Sequence, residues 1–91
     1  MTTESVENLD RPTPDSVLDA KGLNCPLPIL KTKLALQRLD AGQILHVLAT
    51  DSHAVVDFKA YCARTGHDLL ALFETDDLLE FYIQKENEPN K

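Results

Sequence analysis

The sequence predicts an α+β fold, a two-layer βαβαββ sandwich in which two helices pack on one face of a four-stranded mixed sheet. The predicted elements follow the order strand, helix, strand, helix, strand, strand along 91 residues, a length that suits one domain. A short turn joins the last two strands, which are therefore antiparallel. Each strand–helix–strand unit needs a crossover. Because such crossovers are nearly always right-handed, both helices are expected on the same face.

The N-terminal part of the chain is predicted to hold a tail, a strand and a helix. Residues 1–15 combine acidic and polar side chains with two prolines, which is typical of a disordered tail. Ser16–Ala20 is predicted as a short strand, and Gly22 permits the turn that follows it. Residues 26–40 have a helical composition, and Gly42 is a natural residue to follow the end of that helix.

The apolar positions of this first helix form a broad stripe, which we expect to pack against the sheet. Its members are Leu27, Leu30 and Leu34, with Ile29, Leu36 and Leu39 beside them. On this prediction the leucines form the contact between the helix and the core.

The middle of the chain predicts a central strand and a second helix. Residues 43–50 are almost continuously apolar, as in a strand that is buried on both faces. Asp51 is predicted as the N-cap of a helix over residues 52–65, and Gly66 as the residue that ends it. Val55, Phe58 and Cys62 share one face of this helix.

The C-terminal part predicts a hairpin formed by strands at 67–74 and 78–85, followed by a polar tail over residues 86–91. The second strand of the hairpin alternates Leu79, Phe81 and Ile83 with Glu80, Tyr82 and Gln84. The polar set, together with Ile44 and Leu48 of the central strand, is expected on the face that the helices do not cover. That face is either a contact surface or carries ordinary scattered hydrophobic residues, and both readings stay open.

Composition excludes several classes of function. The net charge of −6 arises from 15 acidic and 9 basic residues, so the chain lacks the basic footprint that direct nucleic-acid binding requires. No apolar run approaches the roughly 20 residues of a membrane span. The acidic N-terminus does not resemble a secretory signal, and two cysteines without such a signal indicate reduced thiols in the cytoplasm.

One cysteine lies at a helix start that is shaped by two prolines. Proline fits the first turn of a helix, so we expect Pro26 at the first helical position and Pro28 at the third, with Cys25 at or beside the N-cap. Cysteine is a poor cap, which suggests that the thiol is present for its chemistry. The helix dipole, with Lys31 and Lys33 nearby, is expected to favour the thiolate. A buried structural cysteine is the alternative.

The other candidate groups indicate structural roles. Cys62 shares its helix face with Val55 and Phe58, which favours a small buried hydrophobic residue, although a redox role stays open. The three histidines show no ligand spacing with either cysteine, so no metal site is expected. His53, at the start of the second helix, is the one plausible histidine neighbour of Cys25.

The segment 18–28 reads Leu-Asp-Ala-Lys-Gly-Leu-Asn-Cys-Pro-Leu-Pro. It resembles the signature of the TusA (SirA-like) sulfur-carrier family, whose mark is Cys-Pro-x-Pro at the start of the first helix. The similarity continues through residues 48–51, the pair Asp57 and Phe58, and residues 65–67. It spans nearly all of residues 17–85, so residues 16–85 are expected to form a TusA-like domain of βαβαββ fold.

The resemblance implies a sulfurtransferase that carries sulfane sulfur as a persulfide on Cys25, with no cofactor beyond that covalent intermediate. The amides of the first helical turn are expected to help hold the persulfide. The implied partners are a donor protein, either a cysteine desulfurase or a rhodanese, and a DsrE-like or other relay protein as acceptor. A monomer is the expectation for a carrier that docks two partners in turn. The alternative is a non-enzymatic regulatory module that binds a partner through the exposed sheet face.

Overall fold

The computed structural model of the chain describes residues 11–86 and confirms the predicted order of elements and their two layers. The elements are β1 (Ser16–Ala20), α1 (Leu27–Gln37), β2 (Ile44–Ala49), α2 (Ala54–Thr65), β3 (Asp68–Thr75) and β4 (Leu78–Gln84). Within this part of the chain, neither helix is long and apolar enough to cross a membrane.

The four strands form one mixed sheet in the order β1-β2-β4-β3. β1 and β2 are parallel, whereas β4 is antiparallel to both of its neighbours. Helix α2 therefore connects β2 to an edge strand on the far side of β4. The pairing of β3 with β4 contains a bulge between Leu69 and Ala71.

The core lies between the two helices and the inner face of the two central strands. Its strand residues include Leu45, Val47 and Ala49 of β2 and Leu79, Phe81 and Ile83 of β4. The core residues of β4 alternate along the strand as predicted. Phe58 of α2 stacks on Phe81 with ring centroids 4.2 Å apart, which ties that helix to the middle of the sheet. The outward residues of β2 are only half-buried, so the expectation of a strand buried on both faces was wrong. The reason is that the helices cover a single face.

The predicted apolar stripe of α1 was wrong in part: Leu36 is buried and Ile29 and Leu39 pack against the core as predicted, but the other three leucines do not. Leu27, Leu30 and Leu34 are 43%, 51% and 51% exposed, and the buried residues of the helix are Pro28, Thr32 and Leu36. Apolar residues occur on every side of α1, so their spacing does not single out the side that faces the sheet. The leucines instead form an exposed apolar strip along the helix.

The helix ends differ slightly from the predictions. Pro26 is the N-cap of α1, and the helix ends at Gln37 rather than near residue 40. The N-cap of α2 is His53, because the turn that begins at Asp51 precedes the first helical residue, Ala54. Gly66 ends α2 in the left-handed conformation with φ 90°, as predicted.

The segment before β1 lies against the outer face of the sheet. Residues 1–10 of the predicted tail fall outside the described residues; of the remainder, Arg11 and Asp15 contact the strands. Arg11 lies 3.0 Å from the Glu80 carboxylate and its guanidinium stacks 4.2 Å above the Phe73 ring. Asp15 accepts a hydrogen bond from the Ile44 N–H at 2.8 Å. Of the predicted C-terminal tail, residue 86 is described and 87–91 are not.

The side chains at the centre of the outer sheet face pack against one another and against Arg11. His46 stacks on Tyr82 with ring centroids 4.2 Å apart, and its Nε2 lies 2.9 Å from Glu80 Oε1. Arg11 closes the group from the N-terminal side, which leaves Tyr82 only 4% exposed. The largest group of exposed apolar side chains in the described structure therefore lies on α1 rather than on the sheet.

Candidate functional site

Cys25 lies at the sheet edge where both helices begin. Because β1 and β2 are parallel neighbours, the loops that follow them leave the same edge of the sheet. Two hydrogen bonds join these loops. The Gly22 N–H donates to Thr50 Oγ1 at 2.9 Å, and the Cys25 N–H donates to Asp51 Oδ2 at 2.8 Å. The position of Cys25 is thus fixed from the loop after β2, and its side chain is exposed.

The two prolines lie one position earlier in the helix numbering than the sequence predicts. Pro26 is the N-cap and Pro28 is the second helical residue, buried against the core, so Cys25 stands just outside the helix. The Cys25–Pro26 peptide bond is cis. Leu27 N–H donates to Asn24 O at 2.8 Å.

This helix start offers few amides to an anion. Both prolines lack an N–H, and the Leu27 amide already has an acceptor. Ile29 supplies the remaining amide of the first turn, for which the described residues provide no backbone acceptor. The expectation of a helix mouth rich in free amides is therefore corrected, because the prolines that frame the thiol remove the donors that would stabilise its anion.

Two carboxylates near Cys25 help to raise the pKa of its thiol. The pKa of the thiol is raised, first by a hydrogen bond to the Asp57 side chain, then by desolvation and by the negative charges of Asp57 and Asp51. The sequence predicts the opposite direction. Lys31 and Lys33 are exposed and are not among the groups that shift the pKa of Cys25.

The Asp51 side chain joins Cys25 to the start of α2. Its Oδ2 accepts the Cys25 N–H, and its Oδ1 accepts the His53 N–H at 3.0 Å. These two bonds lower the pKa of Asp51, which stays ionised at neutral pH. The His53 Nδ1 atom lies 3.3 Å from Asp51 Oδ1, and the His53 side chain is 81% exposed. The His53 ring therefore pairs with Asp51.

The arrangement favours a thiol that is accessible but mostly protonated at rest. A thiolate of higher pKa is the stronger nucleophile once it forms, while a low thiolate fraction slows reaction with oxidants. Asp57 Oδ2 is buried and has no hydrogen-bond partner within residues 11–86. The carboxylate beside the thiol therefore has spare capacity to accept a hydrogen bond.

Cys62 has the structural position that the sequence predicts. It is 6% exposed in the core, and burial is the main reason that its pKa rises to about 11. The thiol therefore stays neutral at physiological pH. Residues 11–86 contain no group of three His, Cys, Asp or Glu side chains arranged to hold a metal ion.

Sequence reasoning missed the roles of Asp51 and Asp57 around the thiol. Asp51 was predicted as a helix cap, and Asp57 was noted only as part of the family resemblance. A topological signal was available, because Asp51 lies in the loop after β2 and Asp57 lies in the first turn of α2. Residues that follow two adjacent parallel strands meet at one edge, which is where the thiol lies.

Comparisons with known proteins agree on one family. The family model described as "Sulfurtransferase TusA" matches residues 16–85. YrkI of Bacillus subtilis is 54% identical over 71 residues, which are 78% of this chain and 95% of YrkI. The sulfur carrier protein TusA of Allochromatium vinosum is 48% identical over 71 residues, 78% of this chain and 93% of that protein.

A solved structure shows the same fold. The crystal structure of a SirA-like protein from Desulfitobacterium hafniense matches with a TM-score of 0.70 and 26% identity. The match covers 78% of this chain and 97% of that chain.

Proposed function

This chain belongs to the TusA family of sulfurtransferases, and on that premise we propose that it carries sulfane sulfur as a persulfide on Cys25. The observation that supports this assignment most strongly is the contrast between its two thiols. Cys25 is exposed at the edge of the sheet, whereas Cys62 is buried and neutral. Cys25 is therefore the thiol that a second protein can reach.

The transfer balances without a cofactor. The Cys25 sulfur attacks the outer sulfur of a donor persulfide, R–S–SH; a new S–S bond forms and the donor S–S bond breaks. The donor leaves as R–SH with the proton that Cys25 gave up, so the pair is neither oxidised nor reduced overall. In the second step an acceptor thiol attacks the outer sulfur of Cys25–S–SH, and Cys25 regains its thiol.

The site suits successive docking of two proteins. We infer a cysteine desulfurase or a rhodanese as the donor and a DsrE-like or other relay protein as the acceptor, with the carrier monomeric in the cytoplasm. One exposed thiol at one edge of the domain faces donor and acceptor in turn. Each transfer is stoichiometric, so the protein is a sulfurtransferase in the sense of a carrier.

The test is a mass measurement after exposure to a cysteine desulfurase with cysteine, or to polysulfide. The wild-type protein is expected to gain about 32 mass units, one sulfur atom, and to lose them on reduction. Cys25→Ser is expected to gain nothing, and the exposed position of the residue should leave the fold intact by circular dichroism. Cys62→Ala is the matched control and is expected to load as the wild type does. Loading of the Cys25→Ser protein at another site would refute the assignment.

A further inference from the structure

The two helices leave an open groove between them. Its wider part is a cavity of about 580 Å³ that reaches Lys85 and Glu86 beyond the end of β4. Its narrower part, about 370 Å³, reaches Pro26 beside Cys25. Both parts are lined by Lys33, Tyr61, Arg64 and Thr65. The groove therefore runs continuously from the start of α1 toward the C-terminal end of α2.

The wider part is basic in a chain that is acidic overall. It is lined by Lys33, Arg64 and Lys85 against one acidic side chain, Glu86, whereas the whole chain has 15 acidic and 9 basic residues. Lys33 and Arg64 form no ion pair with any of residues 11–86. Their charges are therefore available to a ligand.

A neutral side chain in this part, His67, also presents a hydrogen-bond donor. The Glu86 N–H donates to His67 Nδ1 at 3.0 Å, and burial lowers the pKa of His67. The neutral ring therefore carries its proton on Nε2 and is a donor. Ammonium, guanidinium and imidazole N–H groups together match carboxylates, which only accept hydrogen bonds when they are ionised.

The end near the thiol is apolar. Pro26, Ile29 and Leu30 line it, and Leu30 is 51% exposed. Leu27 and Leu34, which extend the strip on the same helix, are 43% and 51% exposed. An occupant of the whole groove therefore meets apolar side chains near Cys25 and cationic side chains farther away.

We propose that this groove docks an extended acidic segment of a partner protein, with apolar side chains at the Leu30 end and carboxylates against Lys33 and Arg64, which line both parts of the groove. A protein segment fits better than a small anion, because the groove is elongated and joins an apolar part to a basic part. The inference rests on the proposed function, since a segment held there brings the partner close to Cys25.

The test is a fluorescence-anisotropy titration with a labelled eight-residue peptide of two leucines, two glycines and four glutamates. The wild-type protein is expected to bind it, and added salt is expected to weaken binding. Combining Lys33→Ala with Arg64→Ala is expected to weaken binding at least about tenfold, because two charge-assisted contacts are lost. Combining Lys31→Ala with Lys59→Ala is the matched control, since both residues are exposed on the same two helices and neither lines the groove.

Three results would overturn the inference. One is the absence of peptide binding by the wild-type protein. Another is equal weakening by the groove pair and the control pair, which would indicate non-specific attraction. The third is equally tight binding of citrate or of a peptide with glycines in place of the leucines, which would indicate a small-anion site.

The Cys25→Ser protein separates this inference from the proposed function. It is expected to bind the peptide as the wild type does, because the thiol does not line the groove. Peptide binding by a wild-type protein that never gains sulfur would refute the carrier function alone. Sulfur loading without peptide binding would refute the groove alone.

Discussion

The Asp57 side chain lies beside the Cys25 thiol and raises the pKa of Cys25. The raised pKa affects both steps of a sulfur relay, the attack by Cys25 and its later departure. A thiol of higher pKa is a better nucleophile as its thiolate and a poorer leaving group. The proposed Cys25 persulfide is therefore expected to hold its sulfur until an acceptor thiolate attacks it.

Replacing Asp57 by Asn tests this pairing. The substitution removes a negative charge next to the thiol, so the pKa of Cys25 is expected to fall and the thiolate fraction at neutral pH to rise. The pH dependence of alkylation by iodoacetamide measures this, and its midpoint should move to lower pH. Asp77→Asn, on the exposed turn between β3 and β4, is the control and should leave the profile unchanged. An unchanged or raised midpoint in Asp57→Asn would contradict the assigned pairing.

The sequence was sufficient to place Cys25 beside the start of α1 but not to describe its surroundings. Pro26 and Pro28 mark a helix start locally, and the thiol beside them follows from neighbouring residues alone. The hydrogen bond from Cys25 to Asp51 spans 26 positions and exists because β1 pairs with β2. The direction of the pKa of Cys25 depends on such long-range contacts, which is why local reasoning from the helix dipole gave the wrong sign.

At the scale of the elements, the two helices were not equally predictable. On α2, Phe58 and Cys62 are buried as predicted, and Val55 packs against the core. On α1 the apolar residues surround the helix, so the buried face is set by the fold around it. Its exposed leucines are the clearest departure from the sequence prediction, and they adjoin the groove that we propose for a partner.

The two faces of α1 are expected to differ sharply in their contribution to stability. Leu36→Ala should lower the free energy of unfolding by about 2–5 kcal/mol, because Leu36 is 1% exposed and its removal leaves a cavity. Leu34→Ala, at 51% exposure, should change it by no more than about 0.5 kcal/mol. Urea unfolding followed by circular dichroism measures both. Equal losses in the two variants would contradict the observed orientation of α1.

At the scale of the whole molecule, the predicted layers and the mixed sheet were correct. The position of β4 between β2 and β3 did not follow from local signals, because a crossover helix can return to either side of a strand. The sheet order brings the loops after β1 and β2 together and so builds the site. Charge is also arranged at this scale, with a basic groove on an acidic domain.

The stacked pair Phe58 and Phe81 is expected to decide whether the two layers hold together. A domain of this size is stable by roughly 5–10 kcal/mol. Phe58→Ala should remove about 3–5 kcal/mol of that, since Phe58 is fully buried. A thermal melt should show a large drop in Tm, whereas Val56→Ala, at 70% exposure on the same helix, should melt close to the wild type. A small shift for Phe58→Ala would mean that the layers do not depend on this stack.

The bulge between Leu69 and Ala71 interrupts one outer rim of the sheet. β3 is an edge strand, and exposed Asp68 and Glu74 flank the irregularity. A foreign strand that approached this rim would meet a broken row of backbone groups and two negative charges, which disfavour pairing. The bulge and the two charges thereby disfavour aggregation of the domain through strand pairing along β3. The helical face has no such obstacle to binding a partner protein.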